Sequence, residues 1–224
     1  VVPPVTNAKI AVHIAQQKGF PLVIDFRDDV FNLDPHIVRQ AATIIASTQA
    51  SLEGMQAHYQ LSSNMGTVIY NGYALERLPG ITAPQPKTGQ LRIVYAGLLN
   101  LDQDPVMLAK AIRHMEQKYP HTKGKVVVDY YGPENFYTRL FLRKYLSNNI
   151  RFRGYVPFQT ALAAIAQADL AYTSLKNEGK AYCVPSKVFQ YIAMETPILA
   201  VGPGGALQTF ISQHRLGRYA ASDD

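Results

Sequence analysis

Hydrophobic and polar positions along the chain switch between short β-branched runs and longer stretches with helical spacing, the pattern of an α/β protein built on parallel strands. Between Asn7 and Lys18, Ile10, Ala11, Ile14 and Ala15 share one helical face, and Gly19 is a natural stop. Residues 21–26 (PLVIDF) read as a strand that runs into the charged loop Arg27-Asp28-Asp29. A helix near 35–42, a strand over 43–48 and a helix over 49–59 follow. A third strand, 67–70, ends at the turn signal Asn71-Gly72.

Between Leu78 and Gln90 the alternation lapses into three prolines and two glycines, which reads as a linker. Residues 1–78 are then a first domain, 79–90 the linker and 91–224 a second domain. The second domain is expected to run strand 91–97, helix 105–118, strand 125–131, helix 135–146, strand 150–153, helix 158–167, strand 169–173, helix 186–194 and strand 197–201. Asp104 is the expected N-cap of helix 105–118, with Pro105 at its first position. Three strands are few for a doubly wound sheet, the chain opens on Val1, and residues 217–224 read as polar text without a closing helix or strand. Together these features read as a fragment whose first domain is incomplete.

Composition narrows the class. Hydrophobic residues at 47% and charged residues at 17% exclude a disordered chain. The single cysteine, Cys183, cannot close an internal disulfide and favours a reducing compartment. No apolar run approaches the roughly 18–20 residues of a membrane span, and the start lacks the pattern of a signal peptide. The formal charge of +6 is lopsided: residues 1–90 carry six basic and six acidic side chains, residues 91–224 sixteen and ten. An excess confined to the second half points to an anionic partner, whether nucleic acid, nucleotide phosphate or anionic lipid, or to a solvated basic face.

The most informative stretch is residues 184–200 (VPSKVFQYIAMETPILA). Pro185 and Ser186 suit the first turn of a helix, whose free N–H groups and positive dipole end favour an anion, and Lys187 adds a full charge. The same residues also read as an ordinary capped helix with a solvated lysine. Asp25, Arg27, Asp28 and Asp29 close a strand where an α/β sheet keeps its ligand sites, or else pair with one another. No two of the six histidines have metal-ligand spacing, and Gly202-Pro203-Gly204-Gly205 reads as a sharp turn rather than a phosphate loop. Arg139, Arg143, Lys144, Arg151 and Arg153 make a basic cluster without a nucleic-acid motif, so nucleic acid is set aside and docking on an anionic membrane surface stays open.

The chain resembles the retaining GT-B glycosyltransferases of family four, also called glycosyl transferases group 1. The resemblance rests on PLVIDFRD at 21–28, VIYNGY at 68–73, YAGLL at 95–99, IRFRGYV at 150–156, and above all ADL at 168–170 followed by PSKVFQYIA at 185–193 and TPILA at 196–200. It implies two Rossmann-like domains facing across a cleft, the second binding a nucleotide-diphosphate sugar and the first an acceptor, with no cofactor and no metal. It further implies that the N–H groups of Ser186 and Lys187 meet the phosphates, that Gly97 allows close approach of the donor, and that Gly154, Tyr155 and Val156 lie at the base. The family's paired glutamates align with Tyr182 and Gln190. A glutamine amide can still bond a ribose hydroxyl, and Glu178 would replace the other carboxylate only if its loop is rearranged. Arg27, Asp28, Asn71 and Gly72 fall on the acceptor side. The implied activity is sugar transfer with retention to a saccharide or lipid-linked acceptor in envelope polysaccharide assembly, in the cytoplasm or peripherally on the inner membrane face. A non-catalytic module that binds a sugar nucleotide or a partner protein, and a nucleotide-sugar epimerase, are the alternatives.

Overall fold

The computed structural model describes residues 4–28, 32–73, 89–99, 103, 105–133, 140, 149–176 and 178–222. All of the expected helix 135–146 except residue 140, the Asp104 cap, most of the linker, and Arg139, Arg143 and Lys144 lie outside them. The chain divides into two compact units, Val1–Asn71 with Tyr182–Val184, and Gly72–Ala181 with Pro185–Asp224.

The first unit holds helix α1 (Val5–Lys18), strand β1 (Val23–Phe26), helix α2 (Pro35–Arg39), strand β2 (Thr43–Ala46), helix α3 (Gln49–Tyr59) and the short strand β3 (Thr67–Val68). The strands pair in parallel in the order β1-β2-β3. Ile24, Phe26, Ile44, Ala46, Leu52, Met55 and Tyr59 form the core beneath them. Side chains fix two helix starts: Asp34 accepts from the His36 N–H at 2.9 Å, and Thr48 from the Ser51 N–H at 3.0 Å. The strand expected over 67–70 stops at Val68, and Ile69 and Tyr70 are exposed, as only one register pair beyond Ile45 remains for β3 to use. Residues 69–73 run on without a turn at Asn71-Gly72.

The second unit holds strand β4 (Leu91–Ala96), helix α4 (Pro105–Lys118), β5 (Val126–Tyr131), β6 (Ile150–Gly154), helix α5 (Phe158–Ala166), β7 (Leu170–Ser174), helix α6 (Lys187–Ala193), β8 (Ile198–Gly202), helix α7 (Ala206–Gln213) and β9 (Gly217–Ala221). All six strands are parallel, in the order β6-β5-β4-β7-β8-β9. Renumbered within the unit this is 3-2-1-4-5-6, the doubly wound arrangement whose direction reverses beside its first strand. Leu108, Ala109 and Ile112 of α4 pack on Ile93, Tyr95, Val126, Val128 and Tyr130 on one sheet face.

The end of the chain corrects the expectation of polar text. Residues 206–213 are helical, with Leu207, Phe210 and Ile211 buried, and 217–221 form the edge strand β9 against β8. An edge strand is covered on fewer sides, so Gly-Arg-Tyr-Ala-Ala suffices without an apolar run. It starts where a Cβ on Gly217 would stand 2.0 Å from the Ile198 carbonyl oxygen, a contact that requires glycine.

Candidate functional site

Parallel sheets keep ligands at the carboxyl ends of their strands, next to the point where the order reverses. There β4 and β5 hand over to Gly97 and Gly132, and β6 ends on Gly154. The Gly97 N–H donates to the Tyr131 carbonyl and the Gly132 N–H to the Gly154 carbonyl, each at 2.8 Å, so pairing continues past the strands. A Cβ on Gly132 would lie 2.2 Å from the Gly97 carbonyl oxygen at a φ of +131°. Only glycine lets these two backbones approach so closely.

Above these ends lies a cavity of about 230 Å³ lined by Gly97, Leu98, Tyr131, Gly132, Pro133, Tyr155, Val156, Phe158 and Gln190, among others. It brings together four residues singled out from sequence: Gly97, Tyr155, Val156 and Gln190. Tyr155 is 84% exposed at this position. Gln190 is half-buried and turned to the cavity, while Val188, Phe189 and Tyr191 around it enter the core. Gly132 and Pro133 were missed, although a Gly-Pro pair closing an expected strand was a usable signal.

Lys187 departs from the solvated lysine that the sequence allowed. It is 8% exposed, with its ammonium nitrogen 2.5 Å from the Tyr95 hydroxyl, 3.8 Å from the Tyr95 ring centroid and hydrogen-bonded to the Gln103 amide oxygen. A Cβ on Gly97 would sit 3.1 Å from this nitrogen. Burial lowers the Lys187 pKa to about 7. Burial also pushes the Tyr95 phenol up, helped by the neighbouring Tyr191 and Tyr172. The Tyr95 hydroxyl in turn donates to the Leu98 carbonyl at 2.7 Å, tying Lys187 to the loop that lines the cavity. Ser186 is exposed and does not cap α6 through its side chain, contrary to the capped-helix reading.

The remaining candidates lie apart from this cavity's lining. Glu178 opens an exposed single turn of 3-10 helix, Glu178–Lys180. Tyr182 groups with the first unit, where its carbonyl accepts from the Thr48 hydroxyl at 2.6 Å. In that unit Arg27 donates to Asp25 through Nε and Nη2 at 2.9 and 2.8 Å, and through Nη1 to the Ile69 carbonyl at 3.1 Å and to Asn71 at 3.4 Å. Arg27 and Asn71 thus meet, whereas Asp28 and Gly72 are exposed.

A second cavity of about 210 Å³ runs between α5 and strands β4 and β5, with Arg92, Asp129 and Tyr131 on one side and Thr160, Ala163 and Gln167 on the other. Asp129 at its edge binds Arg151 through two bonds at 2.8 and 2.7 Å and Arg153 at 2.7 Å. Two members of the expected basic cluster are therefore held on one carboxylate. Among the described residues, no group of His, Cys, Asp and Glu comes together to hold a metal ion, and no helix is long and apolar enough to cross a membrane.

No family model and no curated protein sequence matches the chain. Solved structures do. The pneumococcal O-GlcNAc transferase GtfA, in complex with UDP and GlcNAc, matches with a TM-score of 0.66 at 15% identity over 96% of this chain and 44% of its own. Anabaena Alr3699/HepE, in complex with UDP and glucose, matches with a TM-score of 0.59 at 14% identity over 90% and 58%. The lipopolysaccharide outer core galactosyltransferase WaaB matches with a TM-score of 0.62 at 15% identity over 96% and 66%. The chain spans about half the length of several structures it matches, 43% in the case of the GtfA/B complex. Parallel Rossmann-like sheets of the kind found in the GT-B glycosyltransferases that its sequence resembles thus make up the chain, which matches part of the length of these structures.

Proposed function

We propose that the chain is the sugar-nucleotide-handling portion of a retaining GT-B glycosyltransferase, which moves a sugar from a nucleotide-diphosphate sugar to a saccharide or lipid-linked acceptor. The observation that carries this reading is the cavity at the ends of β4, β5 and β6, lined by Gly97, Gly132, Tyr155, Val156 and Gln190 among others. Two proteins of the same fold hold UDP with a sugar, which supports a ligand of this class.

In this reading the backbone of Gly154, Tyr155 and Val156 receives the base, Gln190 the ribose hydroxyls, and the N–H groups of Ser186 and Lys187 the phosphates. Glu178 or Tyr182 takes the place of the family's sugar-side carboxylate, and Arg27, Asp28, Asn71 and Gly72 serve the acceptor. A leaving diphosphate gathers negative charge in the transition state, and fixed N–H dipoles with a nearby cation stabilise it without reorganising.

Calorimetric titration of the chain with UDP, GDP and ADP tests the reading. Gln190→Leu is expected to weaken UDP binding by about tenfold, the worth of a polar bond lost to an uncompensated hydroxyl, while leaving inorganic pyrophosphate unaffected. Failure of all three nucleotides to bind at millimolar concentration refutes it. Tyr182 and Gln190, standing where the family keeps carboxylates, favour a second reading in which the sugar nucleotide is bound but not turned over. Release of UDP from UDP-sugars by the protein separates the two.

A further inference from the structure

We propose that the groove between α5 and strands β4 and β5 is an anion site that takes the phosphate group of a phosphate monoester, with Arg92 as the guanidinium left free to receive it. The groove follows the flank of the sheet, whereas the nucleotide reading concerns the strand ends, so this site is additional to that one.

Helix α5 shapes the groove. Its core stripe is Leu162 and Ile165, both buried. The neighbouring stripe of Thr160, Ala163, Ala164 and Gln167 keeps the i, i+3, i+4, i+7 spacing of one helix face. Two alanines in that stripe leave a space of about 210 Å³ against the strands, with a threonine hydroxyl and a glutamine amide along it.

The opposite wall is polar, unlike the apolar, helix-covered faces usual in a parallel sheet. Val94, Asp129 and Arg151 pair side by side across β4, β5 and β6, and Arg92, two residues before Val94, shares their face. Asp129 is 9% exposed and already accepts three bonds from Arg151 and Arg153. Burial and the Asp129 charge push the Tyr131 phenol up, so it donates at neutral pH, while Arg153, Arg151 and Arg92 all act on the same group in the opposite sense. Three guanidinium groups therefore converge around Tyr131. Among the described residues, the Arg92 guanidinium has neither a hydrogen bond nor an ion pair. Its backbone N–H donates at 2.9 Å to Asp169, the second carboxylate nearby. Three cations against two carboxylates leave a positive balance.

What the groove offers a ligand is mainly donors: the Arg92 fork and Tyr131 hydroxyl on one wall, the Thr160 hydroxyl and Gln167 amide on the other. A matching ligand carries negative charge and several acceptor oxygens. Donors approaching from two walls suit a tetrahedral phosphate better than a planar carboxylate, and a guanidinium meets phosphate oxygens in pairs.

Isothermal calorimetry of the full chain with glycerol 1-phosphate tests the proposal, at about pH 7.5 where a phosphate monoester is close to doubly charged. Glycerol 1-phosphate is expected to bind and glycerol, which lacks the anion, to give no heat; excess UDP should leave the affinity unchanged. Arg92→Gln should weaken binding by about tenfold or more, the worth of a charge-assisted bond. Ala163→Leu, which fills the groove without altering charge, should weaken it as well, whereas Lys123→Gln, at an exposed lysine elsewhere in the unit, should not. Vesicles of phosphatidylcholine with phosphatidic acid present the same group on a lipid: Arg92-dependent sedimentation with them, while glycerol 1-phosphate stays silent, assigns the site to a headgroup instead of a free ester. Binding that survives Arg92→Gln or Ala163→Leu, that UDP displaces, or that Lys123→Gln weakens equally overturns the proposal, as does silence of ester and vesicles alike. If Ala163→Leu does not fold, Arg92→Gln against Lys123→Gln decides.

Discussion

The two sets of parallel strand ends treat their polar groups in opposite ways. Beyond β1, the Arg27 guanidinium is spent on partners inside its own unit: Asp25, the Ile69 carbonyl and Asn71. Beyond β4 and β5, Gly97 and Gly132 form part of a wall shared with apolar side chains, and Lys187 behind it meets, among the described residues, the neutral Tyr95 and Gln103. A cluster that satisfies itself supports the fold, whereas a buried amine among neutral neighbours weakens it. Costs of that kind concentrate where a ligand supplies what the protein withholds. The comparison therefore separates an arginine paired within its own unit from a lysine buried among neutral side chains.

Substitutions can break or sharpen this contrast. The largest effect is expected from Gly132→Ala, which forces a Cβ into the Gly97 carbonyl oxygen at a φ unfavourable to alanine. A loss of about 3 kcal/mol, read from the urea midpoint, is expected from strain and overpacking. Next is pH. Lys187 ordinarily keeps its proton up to 10.5 but in the folded chain releases it near 7, so between these values the unfolded state holds more protons and stability rises with pH. From about pH 7 to about pH 9 the gain should be on the order of 2 kcal/mol in urea titrations, and Lys187→Met should abolish the slope.

Smaller effects test the sign of the contrast directly. At neutral pH, Lys187→Met should raise stability by about 1 kcal/mol by removing a buried charge. Arg27→Met should instead lower stability by about 1 kcal/mol, because it strands Asp25, one of whose carboxylate oxygens is already buried without a partner. Equal signs for the two substitutions would erase the distinction. Arg153→Gln should change stability least, by less than about 0.5 kcal/mol in urea titrations, since Asp129 keeps its two bonds from Arg151 and the Arg153 side chain is 42% exposed.

Local patterning made much of this architecture readable. Alternation identified the strands from β4 to β8, and Gln190 was picked out by its place in PSKVFQYIA. Helix α7 carried a readable stripe in Leu207, Phe210 and Ile211, but the glycine-rich stretch before it drew attention to the turn alone. Strand β9 has no apolar run to announce it, because its stability comes from a neighbour, β8. The site was harder still. That Gly132 must be glycine depends on a carbonyl at Gly97, and that Lys187 is buried depends on Tyr95, far away in sequence. Both facts arise only when parallel strands bring their ends together.

The strand order also dictates how this unit can be assembled. β4 pairs with β5 on one side, but its other side waits for Leu170 and Ala171 of β7, which follow the whole β5–β6–α5 passage. As the chain leaves the ribosome, the sheet's central strand is for a time an outer one, with its N–H and C=O groups open to any extended segment nearby. Non-local parallel pairing of this kind closes slowly and leaves an aggregation-prone species while it does. A chain cut before β7 would keep that edge permanently open. The strand at the centre of the cavity wall is thus the one that waits longest, over the passage from Ala96 to Leu170, for its second neighbour.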